Sequence, residues 1–369
     1  MPGSHPALHS APVRQAPKGM AAAISILVFA STAQAAGDGS GARITDKFAQ
    51  PAFAELQRAA AATEQEIGAL CTAPSAEALA KAQGAFAELV SAWGKASVLR
   101  FGPLADEHRM ERIYFWPDPR GIALRQVQAT IAGEDESATS SENLAQKSAA
   151  LQGLPALEFA LYGSGADDLA GGAAAYRCRF AEAIAGNIAS IANELLAGWA
   201  DGTDFTDAFT APAADTEPYR SAGEVDAEIV RALSTQLRFV HEAQLLPALG
   251  ADIGKARGKR APLWRSELTF VLATAQLDGV RDLLNAAGYE SAVAEETSWV
   301  PGAILFEIGT ARVALDGIET VPSDAFADET ARDKIAFAGF TIESAAANIT
   351  EKLAAALGLI VGFNALDGD

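Results

Sequence analysis

Apolar residues in this chain recur at alternating steps of three and four, while the two-residue alternation of a half-buried strand is nearly absent. That pattern confines the chain to an all-α fold. Phe53, Leu56, Ala60, Thr63, Ile67 and Leu70 keep to one helical face, and Cys71-Thr-Ala-Pro74 breaks the run. Ser75 then offers an N-cap with Glu77 in the first turn, followed by a stripe of Leu79, Ala82, Phe86, Leu89 and Trp93 that ends at Phe101-Gly102-Pro103. Further stripes run through Phe180, Ile184, Ile188, Ile191, Leu195 and Trp199, through Ile304, Ile308, Ala311, Leu315 and Ile318, and from Ile335 to Leu357. Alanine is abundant within them, and small residues let helices approach closely.

Three stretches lack such a stripe: Gly133 to Ser141, Gly198 to Pro218, and the basic run from Gly254 to Pro262. The second predicts a boundary between two helical bundles, residues 42–200 and 216–369. Each is long enough to bury its own core.

Residues 1–35 read as a secretory signal peptide: no acid, Arg14 and Lys18, an apolar run from Met20 to Ala30, and small residues at Ala33 and Ala35 for cleavage. The expected product is periplasmic or secreted and carries no membrane span, since that run falls short of about 20 apolar residues. Cleavage leaves 26 basic residues against 47 acids, moving the net charge from −19 to −21. Nucleic acid is thereby disfavoured as a partner, because phosphate binding needs clustered Lys and Arg. In an oxidising compartment the default for Cys71 and Cys178 is a disulfide, with two buried thiols as the alternative.

Only His108 and His241 remain after cleavage, which restricts metal chemistry. His108 and Glu111 have His-x-x-Glu spacing and would share a helical face, although Asp106, Glu107, Arg109 and Arg112 also suit a solvated charged turn. No Gly-x-Ser-x-Gly elbow is present, and neither cysteine has the setting of an activated nucleophile. Two segments carry more than bundle packing requires: Arg112-Ile-Tyr-Phe-Trp-Pro-Asp-Pro-Arg-Gly121 and Gly153-Leu-Pro-Ala-Leu-Glu-Phe-Ala-Leu-Tyr-Gly163. In the second, Glu158 is the one ionisable group of an apolar run. It must reach water, a bound ion, or an arginine such as Arg100, Arg112 or Arg120. The ending Gly362 to Asp369 offers Asn364, Asp367 and Asp369 either to a hard cation or as a helix cap.

In order and spacing, these pieces resemble the imelysin family of exported bacterial proteins: Leu70-Cys71-x-x-Pro74-Ser75, Phe101-Gly102-Pro103, Phe115-Trp116-Pro117-Asp118, Gly153 to Gly163, Tyr176-x-Cys178 and Gly362 to Asp369. The resemblance implies two helical-bundle domains with a functional groove between them, and a frequent association with iron uptake. It also implies a Gly-x-His-x-x-Glu signature tied to metal binding and, in some members, peptidase activity. Here Gly153 and Glu158 stand at the ends of that signature and Pro155 replaces its histidine, removing both a metal ligand and a proton acceptor.

The expectation is therefore a non-catalytic protein binding a small ligand, or a component of an iron-uptake system, in the groove. Gly153, Pro155, Glu158, Phe101, Trp116, Asp118 and Arg120 are the candidate lining. Glu158 and His108 are the candidate ligands should a metal ion (iron, zinc or calcium) bind. A metallopeptidase with an altered ligand set and a periplasmic scaffold are the alternatives.

Overall fold

The computed structural model describes residues 39–359, so the signal-peptide segment and the Gly362 to Asp369 ending lie outside the described residues. Among the described residues the chain is all-α, with no strand. Helix α1 (Gln50–Thr72) buries the face read from its periodicity. The polar member of that face, Thr63, has two acceptors in reach of its one hydroxyl hydrogen, Ala59 O at 2.8 Å and Ala85 O of the next helix at 3.0 Å, so its burial leaves no orphaned hydroxyl. Ser75 Oγ accepts from Ala78 N–H at 3.1 Å and starts α2 (Ala76–Ala96), whose stripe is likewise buried.

After the site-bearing helices α3 (Ile122–Gly133) and α4 (Leu154–Tyr162), the long α5 (Ala175–Gly198) packs along α1. The Cys71–Cys178 disulfide ties α5 to the end of α1. A short helix, α6 (Asp204–Thr210), lies inside the stretch from Gly198 to Pro218 that reads as irregular in sequence. Thr203 Oγ1 caps it by accepting from Thr206 N–H at 3.3 Å. Its Phe205 and Phe209 pack with Phe101, Trp199 and Tyr219 in one aromatic cluster.

Beyond it, α7 (Ala222–Arg238), α8 (Thr269–Ala287), α9 (Trp299–Asp316) and α10 (Glu329–Ala347) pack on one another. The chain continues from α10 through a π-helical turn, Asn348–Leu353. The closest join between the early and late helices is α2 against α8, where two glycines permit backbone contact. A Cβ on Gly279 would sit 2.4 Å from Lys95 O, and one on Gly94 would sit 2.7 Å from the Ala275 Cβ. No helix among the described residues is long and apolar enough to cross a membrane.

Candidate functional site

A cavity of about 420 Å³ opens where four separate stretches meet: Phe115 to Leu124, Pro155 to Phe159, Ala243 to Pro247, and Lys259 to Arg265. The first wall is the turn ahead of α3. Asp118 accepts from Ile122 N–H through Oδ1 and from Ala123 N–H through Oδ2, each at 2.8 Å, answering two of the unpaired amides of the helix start. Trp116 is anchored by donating its Nε1–H to Ala243 O at 2.9 Å.

The second wall is the start of α4. Pro155 occupies the helix's first turn, where the missing N–H costs nothing. Gly153 precedes it, and a Cβ there would meet Ile113 O at 2.2 Å. Gly153 therefore serves as the close-packing point that seats α4, and it is not part of the cavity lining.

Glu158 is 3% exposed. Its Oε1 accepts from Arg265 N–H at 2.9 Å, Ser266 N–H at 3.0 Å and Ser266 Oγ–H at 3.1 Å, while Oε2 lies 3.8 Å from Arg265 Nη1. Burial pushes its carboxyl above the usual range, against the opposing pull of these donors and of the Arg265 charge. Burial also lowers the Arg265 guanidinium. Desolvation thus outweighs the attraction between the two charges, as expected for a long, sunken pair.

The main work of Glu158 is to hold the loop that forms the third wall. That loop contains two non-glycine residues in the left-handed region, Leu263 (φ 51°) and Glu267 (φ 63°), a conformation that needs support from its surroundings. Ser266 Oγ–H has Leu263 O at 3.1 Å as an alternative acceptor, Leu268 N–H donates to Leu263 O at 3.0 Å, and Thr269 Oγ1–H donates to Pro262 O at 2.6 Å. The loop thereby presents Trp264 with two cations near its ring: the Arg265 guanidinium 4.4 Å and the Lys259 ammonium 5.2 Å from its centre.

Of the residues singled out in sequence, Trp116, Asp118, Pro155 and Glu158 meet at this cavity; Gly153, Phe101 and Arg120 are not in its lining. Phe101 belongs to the aromatic cluster around Trp199. His108 is exposed, outside the lining, and left-handed (φ 54°) immediately before the short helix Arg109–Ile113, so it does not share a helical face with Glu111. The partner of Glu158 is Arg265, not one of the arginines considered from sequence. Arg100 donates to Gln236 Oε1 at 2.9 Å and lies over the Phe239 ring, and Arg112 donates to Gln152 Oε1 at 2.9 Å. Lys259, Arg260, Trp264, Arg265 and Ser266 were not candidates; the signal that could have marked them is a basic, Trp-bearing run in a chain of net charge −19.

An imelysin family model (peptidase M75) matches residues 49–349. The chain belongs to the imelysin family. Among solved structures it is similar to an imelysin-like protein from Psychrobacter arcticum 273-4, with TM-score 0.73, 18% identity, and coverage of 90% of this chain and 98% of that one. It is also similar to a protein described as an iron-regulated protein A precursor from Parabacteroides distasonis ATCC 8503, with TM-score 0.69, 13% identity, and coverage of 86% and 94%. At these identities the likeness establishes the fold alone. No curated protein matches the chain.

The metal that the family signature implies does not fit the donors present around the cavity. Pro155 has no ligand atom, Glu158 Oε1 already accepts three hydrogen bonds, and both Asp118 oxygens cap α3. Among the described residues no group of three or more His, Cys, Asp or Glu is arranged to hold a metal ion.

Proposed function

We propose that this imelysin-family chain is an exported, non-catalytic binding protein that receives a ligand in the cavity between Trp116, Glu158 and Trp264. The observation that carries the reading is the Glu158 carboxylate itself. In the signature position where a catalytic acid or base would be sought, it is committed to backbone amides of the cavity wall. Pro155 in the histidine position supports the same view, and a cavity of about 420 Å³ falls in the size class of small-molecule sites. The iron-regulated description of one similar structure supports placing the ligand or partner in iron uptake. The test is titration of the mature chain with ferrous, ferric and haem iron, alongside its expression under iron starvation. No binding and no response would remove the iron link. Chelator-sensitive cleavage of an unfolded protein, abolished in Glu158→Gln, would overturn the non-catalytic reading.

A scaffold role is favoured by one separate observation. Trp299, Phe306 and Val313 lie at seven-residue steps on α9, with Phe337 and Phe340 on the adjoining α10, and all five are exposed, Phe306 by 75%. Cross-linking in native cells should capture a partner that Phe306→Glu combined with Phe340→Glu releases, with ligand binding in the cavity unchanged.

A further inference from the structure

The charges and the shape of this cavity point to its ligand class. Two carboxylates and three cations line it: Asp118 and Glu158 against Lys259, Arg260 and Arg265. The two carboxylates are already answered inside the protein. Asp118 has both oxygens on amides of α3, and Glu158 has one oxygen under three donors and the other facing Arg265. The cations are not matched in the same way. Among the described residues Lys259 and Arg260 make no ion pair, and both are exposed at the cavity wall. As an ion pair Arg265 has only the long 3.8 Å approach to Glu158; its guanidinium lies over the Trp264 and Phe159 rings, and its side-chain N–H groups donate no hydrogen bond among the described residues.

This positive rim runs against the character of the whole chain. Between residues 253 and 266 there are five basic residues and no acid, in a protein of net charge −19. Elsewhere acids outnumber bases, so an anion in solution is repelled by most of the surface and drawn to this stretch. The rest of the lining is apolar, with Trp116, Pro117, Leu124, Phe159 and Trp264 offering flat faces to a ring or a branched chain. A bare inorganic anion would leave those faces wet. It would also lack the loop amides that usually cradle one, since Arg265 N–H and Ser266 N–H are taken by Glu158.

We infer that the cavity selects an organic carboxylate with an apolar body of about the size of one or two rings, the carboxylate held between Lys259, Arg260 and Arg265 and the body packed between Trp116 and Trp264. This rests on the reading of the cavity as a binding site. The same chemistry is presented by a free aromatic or branched acid and by the C-terminus of a peptide ending in an apolar residue.

The test is calorimetric titration of the mature chain with 2-naphthoate and its uncharged match 2-naphthamide, and with N-acetylphenylalanine and its amide. Both acids should bind at least tenfold more tightly than their amides. The preference should fall about tenfold in the Lys259→Gln, Arg260→Gln double variant, whose exposed side chains can change without disturbing the Glu158 loop. Tighter binding of N-acetylphenylalanine than of naphthoate would identify the peptide source, and the reverse order the free acid; either supports the inference. Equal binding of acid and amide overturns the charge selection while leaving a binding cavity. Binding of neither acid also overturns it. The cavity reading is then judged separately by native mass spectrometry of protein from its own cells, where a co-purifying ligand lost in Trp264→Ala would keep that reading alive and its absence would end it.

Discussion

Replacing Glu158 by alanine removes the acceptor that two backbone amides and one hydroxyl share. The hydroxyl of Ser266 has a second acceptor in Leu263 O at 3.1 Å and loses little. Arg265 N–H and Ser266 N–H have no such alternative, and a buried donor left without a partner costs about 1–3 kcal/mol. Glu158→Ala should therefore lower stability by roughly 2–6 kcal/mol, before any loss from the vacated volume. Glu158→Gln keeps an oxygen at the same place and sheds a charge that burial disfavours, so its cost should stay within about 1 kcal/mol. Because the folded-state carboxyl is raised, its ionised form opposes folding, and the wild type loses stability as pH climbs through that raised range. The Gln variant should lose that slope and compare best with wild type at the alkaline end. Urea unfolding followed by near-ultraviolet circular dichroism at pH 5 and pH 8 measures all three proteins. An alanine variant within about 1 kcal/mol of wild type, or a glutamine variant as damaged as alanine, would refute the claim that Glu158 is chiefly the acceptor that holds the wall loop.

Asp226 is fully buried; its Oδ1 accepts from Ser40 Oγ–H at 2.7 Å and Tyr289 OH at 2.9 Å, and Oδ2 has no partner among the described residues. Burial raises its carboxyl to about 6 against the opposing donors and the Arg43 charge, so stability should fall by about 2 kcal/mol between pH 4 and 6, a slope that Asp226→Asn flattens in pH-dependent denaturation. The Cys71–Cys178 bond closes a separation of 107 residues, and its loss in Cys71→Ala with Cys178→Ala should cost about 4–5 kcal/mol in the same assay. Gly279→Ala, whose new methyl would press on Lys95 O and its carbonyl carbon, should destabilise by about 2–3 kcal/mol, and a thermal midpoint unchanged from wild type would show that α2 and α8 can separate there.

The helices were legible because burial writes a 3.6-residue period into side chains, and the Ser75 cap was legible because its hydroxyl acts on amides only three residues away. Helix α6 escaped because it is under two turns long and offers only Phe205 and Phe209 as large apolar residues, too few to establish a period. His-x-x-Glu spacing at His108 misled for a related reason: spacing implies a shared face only where every intervening residue is helical, and His108 is left-handed. Glu158 announced itself as a lone acid in an apolar run. Its partner did not, because what meets the carboxylate is mainly the backbone of residues 265 and 266, and an amide donor leaves no trace in residue type. The same distance in sequence hid the cationic rim from the cavity it lines.

The α2–α8 crossing has a mechanical corollary. With the would-be Cβ of Gly279 only 2.4 Å from a carbonyl oxygen of the facing helix, the two backbones meet directly, and neither helix can move closer to the other there. Motion that admits a ligand between Trp116 and Trp264 involves the elements that carry them, the turn before α3 and the Glu158-pinned loop. The time constant of entry should thus track the hydrogen bonds of that loop and not the docking of helices.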